Sequence, residues 1–317
     1  MIIVQRYNIT YASIWDEFVD ASKNGTFMIK RGYMDYHADR FVDHSLLFYV
    51  DDKLMALLPA SQHETELCSH GGLTYGGMVI TEKMTMQIML ELFEGLRNYM
   101  YEQRITKLIY KRVPSIYYTY PSDEDLYALF RVNAKLIQRD ISTTIYQPAK
   151  LRFTERRRRG LKQAMKKGVV VRESIDYESY IEILSNALLR HNVKPAHTAT
   201  EIRLLASRFP DNIKLFAAYL DEKMLAGVLV YLTPRVAHTQ YIANSDEGRS
   251  CGALDAVMDF LINENCVNQV YFDFGISTED KGRFLNEGLI TQKQEFGGRA
   301  IIYDKYEIGW NDTSVSI

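Results

Sequence analysis

The stretch that decides the fold is Val236–Ala253, which reads VAHTQYIANSDEGRSCGA. Its first part, Val236 to Ile242, has the composition of a strand, and its polar, glycine-containing second part leads into an apolar helix that begins at Ala253. Free backbone N–H groups at the start of such a helix attract a phosphate or the oxygen of a reacting carbonyl. The residues predicted to bind such a group are Ser245, Gly248, Arg249, Ser250, Gly252 and Ala253. The alternative is that Ser245 only caps the helix and that the glycines only allow the bend.

A second feature is an internal similarity between the two halves of the chain. Tyr49–Leu58 (YVDDKLMALL) resembles Tyr219–Val228 (YLDEKMLAGV), and each is an acidic, lysine-containing turn between two apolar strands. In both halves this hairpin is followed by an amphipathic helix and then by another strand. This order predicts an α+β fold of two repeated units, with domains of residues 1–150 and 151–317.

Composition narrows the class of protein. The 317 residues include 38 Lys and Arg against 40 Asp and Glu, so no overall basic field favours DNA. The three cysteines, Cys68, Cys251 and Cys266, form no closely spaced pair, which argues against a disulfide framework or a thiolate metal site. The N-terminus lacks the pattern of a signal peptide, and no apolar run reaches the roughly 18 residues of a membrane span. We expect a soluble, cytoplasmic protein without a metal.

The loop Ser245–Ala253 also carries a family resemblance, which implies binding of an acyl donor, and it is called the donor loop below. Arg249–Ala253 resembles the acyl-CoA signature of the GNAT superfamily, Arg/Gln-x-x-Gly-x-Gly/Ala, although Leu254 replaces the final small residue. The wider pattern is similar to the Fem-like branch, which has two GNAT-like domains in tandem. The stretches that carry this similarity are Lys111–Tyr117, Arg156–Gly168, Tyr271–Gly275 and Phe296–Gly298. The resemblance covers nearly the whole chain and implies mixed sheets flanked by helices, with an acceptor-binding first domain and a donor-binding, catalytic second domain.

The resemblance implies an N-acyltransferase that moves an acyl group, acetyl from acetyl-CoA in the first instance, to an amine of a small molecule or of a cell-envelope precursor. The Fem-like branch equally implies an aminoacyl-tRNA donor and a peptidoglycan precursor as acceptor. A third alternative, which Leu254 permits, is a binding protein that has kept the fold without the chemistry. The sequence contains no serine-hydrolase elbow, Walker loop or zinc-protease motif, which favours direct attack by the amine.

Three residues are candidates for the proton transfer. Asp273 lies in an aromatic strand, where burial among apolar groups would raise its pKa and make it a base, although it could also simply hold a loop. His238 lies in the strand before the donor loop. Tyr241 shares a face with His238 only if a bulge skips one residue between them.

Basic and aromatic residues supply the candidates for acceptor binding. Arg152 to Lys167 holds eight basic residues and one acidic residue, and is interpreted either as a phosphate-binding face for tRNA or a nucleotide-linked precursor, or as a solvated linker helix. Elsewhere, cations and imidazoles in loops suit binding of an anionic acceptor or base catalysis. The alternative is that these residues only lie in solvent-exposed surface loops. The acceptor candidates are Lys30, Arg31, Tyr36, His191, Lys194, His197, Lys281 and Arg283.

Overall fold

The computed structural model describes residues 1–189 and 193–309. The chain divides into two compact units. The first comprises Met1–Asp140, Asp280–Arg283 and the described residues that follow Ile301, and the second comprises Ile141–Glu279 and Phe284–Ile301. The predicted roles of the two halves, acceptor binding and donor binding, stay predictions.

The first unit contains two sheets and its own core. Its strands are β1 (Ile2–Arg6), β2 (Val42–Asp43), β3 (Leu46–Val50), β4 (Lys53–Leu58), β5 (Ser61–His63), β6 (Glu66–Cys68), β7 (Val79–Ile80) and β8 (Lys107–Lys111). Its helices are α1 (Ala12–Ala21), α2 (Arg31–Met34), α3 (Met86–Glu102) and α4 (Glu124–Arg131). One sheet has the order β1-β3-β4-β7, and β8, β6, β5 and β2 are neighbours in the other. The predicted apolar face of α3 is buried at Leu92 and Leu96, which pack in the core with Phe48.

The second unit contains six neighbouring strands of a mixed sheet and a separate two-stranded sheet. Its strands are β9 (Lys135–Tyr146), which begins among residues of the first unit, β10 (Val170–Ser174), β11 (Ile213–Leu220), β12 (Lys223–Leu232), β13 (Val236–Asn244), β14 (Tyr271–Ile276), β15 (Thr278–Glu279) and β16 (Phe284–Leu285). Its helices are α5 (Glu155–Lys167), α6 (Tyr177–Leu189), α7 (Ala199–Arg208), α8 (Asp246–Cys251), α9 (Ala253–Phe260) and α10 (Glu287–Glu295). The last strand, β17 (Arg299–Gly309), begins in this unit and continues from Ile302 among residues of the first. The order is β10-β11-β12-β13-β14-β9, in which only β13 and β14 are parallel. The predicted α+β class is confirmed.

The two similar hairpins have the same local structure. Asp51 and Asp52 in the first, like Asp221 and Glu222 in the second, have positive φ at both central turn positions, between 46° and 62°. A turn of this kind matches the right-handed twist of the flanking strands. The register also shifts at the same place in both hairpins, immediately before the tyrosine that opens each similar stretch. The sequence similarity therefore reflects one structural unit that occurs twice.

Candidate active site

A buried histidine–carboxylate pair joins β13 to β14. His238 is opposite Asp273 in the parallel ladder, and its Nδ1 lies 2.7 Å from Asp273 Oδ2. The other carboxylate oxygen, Oδ1, accepts hydrogen bonds of 2.6 Å from the hydroxyls of Ser142 and Thr144 on β9. Asp273 is fully buried and His238 is 8% exposed. The pair therefore lies inside the sheet, at the end of the parallel pairing between β13 and β14.

The state of Asp273 differs from the prediction. Burial alone would raise the pKa of this carboxyl group, but hydrogen bonds from His238, Ser142 and Thr144 outweigh it and hold the pKa below its ordinary value. The predicted rise is wrong because the hydroxyl and imidazole partners come from strands that are distant in sequence. Asp273 remains a carboxylate and is placed to orient His238 rather than to accept a proton itself.

A bulge in β13 brings the two predicted ring residues together. Tyr241 is opposite Leu229 in β12, and His238 is opposite Tyr231. Because Leu229 and Tyr231 are two residues apart, they share a face of the sheet, and so do the residues opposite them. Gln240 is the extra residue. The bulge on which the shared face of His238 and Tyr241 depended is therefore present.

A second bulge lies in the neighbouring strand. Asp273 and Ile276 of β14 are opposite Thr144 and Ser142 of β9, so β14 carries one residue more than its partner. Gly275, with φ of 74°, adopts the left-handed conformation that such a bulge favours. The strand continues through this glycine to Ile276. The pairing of β14 with β13 ends at Asp273, and the two strands separate beyond it.

A cavity opens where the strands separate. Ile242 and Phe274 follow Tyr241 and Asp273 along their strands and therefore point to the opposite face. They line a cavity of about 630 Å³. Its other apolar lining residues include Leu254, Met258 and Phe296, and its cationic ones include Arg156, Arg159 and Arg249. The cavity and the His238 pair thus occupy opposite faces of the sheet at the same gap between strands.

The predicted donor loop is mostly helical. Ser245 caps α8 by accepting a hydrogen bond of 3.0 Å from the Gly248 backbone N–H, so the cap interpretation is confirmed for this side chain. A Cβ at Gly248 would lie 2.5 Å from the Leu225 carbonyl oxygen, and one at Gly252 would lie 2.1 Å from the Gly160 carbonyl oxygen. Both glycines are therefore required by chain packing. Gly248, Arg249 and Gly252 line the cavity, and donor binding by the six residues of this loop stays a prediction.

The basic helix α5 lies against this loop. Gln163 donates a hydrogen bond of 2.7 Å to the Ser250 carbonyl oxygen, one turn from the contact between Gly160 and Gly252. Arg157 forms ion pairs with Asp255 of α9 at 3.1 Å and with Glu295 of α10 at 2.8 Å. Three elements of the cavity wall are therefore tied together by one arginine. The helix is not a free linker.

Lys293 of α10 is a cavity residue that the sequence did not reveal. Its ammonium group donates hydrogen bonds of 2.8 Å and 2.7 Å to the carbonyl oxygens of Gly275 and Ile276, at the bulge of β14. Its side chain is 4% exposed and lines the cavity, and burial lowers its pKa to about 8. A single lysine in a polar helix gives no sequence signal, because its role depends on the bulge that it contacts.

The family comparison agrees with this geometry. Residues 149–281 match the family model described as an acetyltransferase (GNAT) domain. This stretch is a GNAT domain. It contains the donor loop, both bulges and the His238–Asp273 pair, and it confirms the prediction of an acyltransferase of the GNAT superfamily. No curated protein sequence matches the chain.

Solved structures with the same fold extend the similarity beyond the GNAT domain. The crystal structure of FemX is 13% identical with a TM-score of 0.70, and the alignment covers 97% of this chain and 98% of FemX. The structure of L-PGS from Bacillus licheniformis is 10% identical with a TM-score of 0.63, over 98% and 94% of the two chains. A tandem GNAT protein from the clavulanic acid biosynthesis pathway is 8% identical with a TM-score of 0.54, over 99% and 100%. The predicted tandem-GNAT, Fem-like fold is confirmed.

One acceptor candidate joins the site of the GNAT domain. His197 is 9% exposed, and its Nδ1 lies 2.6 Å from the Tyr241 hydroxyl, on the His238 face of the sheet. Lys194 is exposed in the same loop, and His191 lies outside the described residues. The acceptor roles of all three stay predictions.

The remaining acceptor candidates belong to the first unit. Lys30 is paired with Asp20 at 2.7 Å, and Lys281 and Arg283 are exposed. Arg31 is 5% exposed, forms ion pairs with Asp35 and Asp43, and lies over the ring of Tyr7 at 3.8 Å. These contacts give Arg31 a packing role. The acceptor roles of these residues and of Tyr36 stay predictions.

Two other predicted properties concern metals and membranes. Within residues 1–189 and 193–309, no group of three or more His, Cys, Asp or Glu side chains is arranged to hold a metal ion. In the same ranges, no helix is both long enough and apolar enough to cross a bilayer.

Proposed function

We propose that this protein is an N-acyltransferase in which a bound amine attacks the acyl carbonyl directly, with His238 as the base. The observation that carries the proposal is the His238–Asp273 pair, at 2.7 Å, beside the gap between β13 and β14. Nδ1 of the imidazole is held by a carboxylate, so its proton stays on that side and Nε2 can accept one from the amine. The C–N bond forms, the bond to the leaving group breaks, and the proton passes to Nε2.

The two faces of the sheet would separate donor from acceptor. The cavity has the apolar wall and cationic rim that suit an acyl chain attached to a phosphate-bearing carrier. The amine would approach from the face that carries His238, Tyr241 and His197. Lys293, whose pKa is about 8, lies on the cavity side of the gap and could donate a third hydrogen bond to the acyl oxygen.

Thermal-shift titration with acetyl-CoA and CoA, followed by a thiol-release assay with a panel of amines, tests the proposal. His238→Gln should lower turnover by a factor on the order of 10² to 10⁴ and leave acetyl-CoA binding unchanged, because the base lies on the other face. His44→Gln is the matched control, since His44 is also a buried, hydrogen-bonded histidine but belongs to the first unit. Full turnover by His238→Gln would exclude His238 as the base.

A specific observation favours aminoacyl-tRNA as an alternative donor. The carbonyl oxygen of Gly160 occupies the space beside Gly252, where a pyrophosphate would approach the signature loop. In addition, four basic residues of α5 form no ion pair with any described residue, namely Arg159, Lys162, Lys166 and Lys167. Unpaired cations on a cavity-lining helix suit the phosphates of an RNA.

Binding of labelled tRNA at two salt concentrations distinguishes the donors. If tRNA binds through α5, affinity should fall at least tenfold between about 50 mM and about 200 mM salt. Reversing Lys162, Lys166 and Lys167 to Glu should weaken binding further, and the same change at Lys53, Lys83 and Lys135 of the first unit serves as the control. A melting shift with acetyl-CoA but no tRNA binding would retain acyl-CoA as the donor.

A further inference from the structure

A buried tyrosine contacts the bulge of β13. Tyr180 of α6 is fully buried, and its hydroxyl donates a hydrogen bond of 2.9 Å to the Tyr241 carbonyl oxygen. The same hydroxyl accepts a hydrogen bond of 3.3 Å from the Leu229 backbone N–H on β12. Leu229 and Tyr241 are opposite residues at the edge of the bulge. One hydroxyl therefore connects a backbone N–H group of β12 to a backbone carbonyl oxygen of β13, at the point where the pairing of the two strands changes register.

The sheet leaves space for this ring at one position. A Cβ on Gly227 would lie 2.8 Å from the Tyr180 ring, so a larger residue at this position would overlap the ring. The Tyr180 ring therefore lies against Gly227, and its hydroxyl is bonded to two backbone groups.

We infer that Tyr180 is a positioning residue that holds the β13 bulge in the register that places His238 and Tyr241 on one face. The inference rests on the proposed function, because it concerns the geometry of the same site. Without the hydroxyl, the Tyr241 carbonyl oxygen loses this hydrogen bond and the bulge can shift along the strand. The contact of the Tyr241 hydroxyl with His197, at 2.6 Å, would then be lost.

Nitrogen NMR of the histidine side chains in the full chain measures whether the contact between Tyr241 and His197 is kept. Tyr241→Phe removes the hydroxyl that contacts His197, so it defines the change in the His197 Nδ1 shift when that contact is absent. Tyr180→Phe should reproduce most of that change and should also alter the His238 shift. In the acyl-transfer assay the same variant should lower kcat by up to about 100-fold with KM little changed.

Two further variants make the result decisive. Tyr219→Phe removes another hydroxyl bonded within the second unit, 2.8 Å from Ser174 Oγ, and should leave both histidine shifts unchanged. Gly227→Ala pushes the Tyr180 ring without removing its hydroxyl and should change both histidine shifts in the same way as Tyr180→Phe. It provides the test if Tyr180→Phe does not fold. Unchanged His197 and His238 shifts in the folded Tyr180→Phe or Gly227→Ala protein would overturn the inference. The shifts are read without substrate, so loss of the proposed activity would not affect this test.

Discussion

His238 Nδ1 and Asp273 Oδ2 are 2.7 Å apart at the last rung of the parallel ladder between β13 and β14. Burial of a lone carboxylate would be costly, but Asp273 has three hydrogen-bond donors that offset the loss of water. The pair therefore fixes the orientation of the imidazole at the point where the strands separate. Replacement of Asp273 should therefore affect both turnover and stability, and the two effects can be measured separately.

Replacement of Asp273 by Asn should reduce turnover more than donor binding. The amide would keep the shape of the side chain but would no longer hold the Nδ1 proton of His238, so the wrong tautomer would be present. We expect kcat in the acyl-transfer assay to fall by a factor on the order of 10² to 10⁴, no more than in His238→Gln, with acetyl-CoA affinity measured by thermal shift unchanged. Equal losses in the two measurements would show that Asp273 supports the whole domain rather than the base.

The same variant should change how stability depends on pH. The native pKa of Asp273 lies below its ordinary value of 3.8, so the carboxylate contributes stability above that pH and loses it as the pH falls through the native pKa. The difference in unfolding free energy between the wild type and Asp273→Asn should be constant above about pH 5 and shrink below about pH 4. Urea titrations at a series of pH values measure it, and a difference that grows on acidification would contradict the assignment.

Lys293 should give a pH dependence of the same sign, but in the alkaline range. Its pKa falls from 10.5 in the unfolded chain to about 8 in the native state, so between these values the unfolded chain binds more protons and native stability rises with pH. Relative to Lys293→Met, the wild type should gain up to about 3 kcal/mol of unfolding free energy over this range. Lys162→Met, at an exposed position on α5, should show no such trend. A flat difference for Lys293→Met would mean that the buried amine does not titrate there.

The sequence predicted the fold class and placed two residues that lie together in the candidate site. Local patterns predicted the two hairpins, the strand that leads to the donor loop, and the inward face of α9, where Val257 is fully buried. They also predicted His238 and Asp273 as site residues. The pairing of these two residues, 35 positions apart, and the hydroxyls of Ser142 and Thr144, about 130 positions from Asp273, depend on strand order and register. That is why the predicted direction of the Asp273 pKa shift was wrong.

Close backbone contacts are the feature that the sequence revealed least. Glycines in the donor loop were attributed to ligand approach, because a pattern of small residues does not say which neighbour comes close. The neighbour of Gly252 is Gly160 on α5, 92 positions earlier in the chain. The role of Gly252 in packing can be tested separately from any role in donor binding.

Gly252→Ala and Gly168→Ala form a matched pair, because both glycines have φ of 79°. A Cβ at Gly168 meets nothing within 4 Å, so this variant should cost only the backbone strain, about 1 kcal/mol. At Gly252 the Cβ would lie 2.1 Å from the Gly160 carbonyl oxygen, so the loss in unfolding free energy should be larger by about 1 to 3 kcal/mol. Urea denaturation compares the two variants. Equal losses would mean that α5 yields at no cost, and reduced donor affinity in Gly252→Ala could then be assigned to the ligand rather than to displacement of the helix.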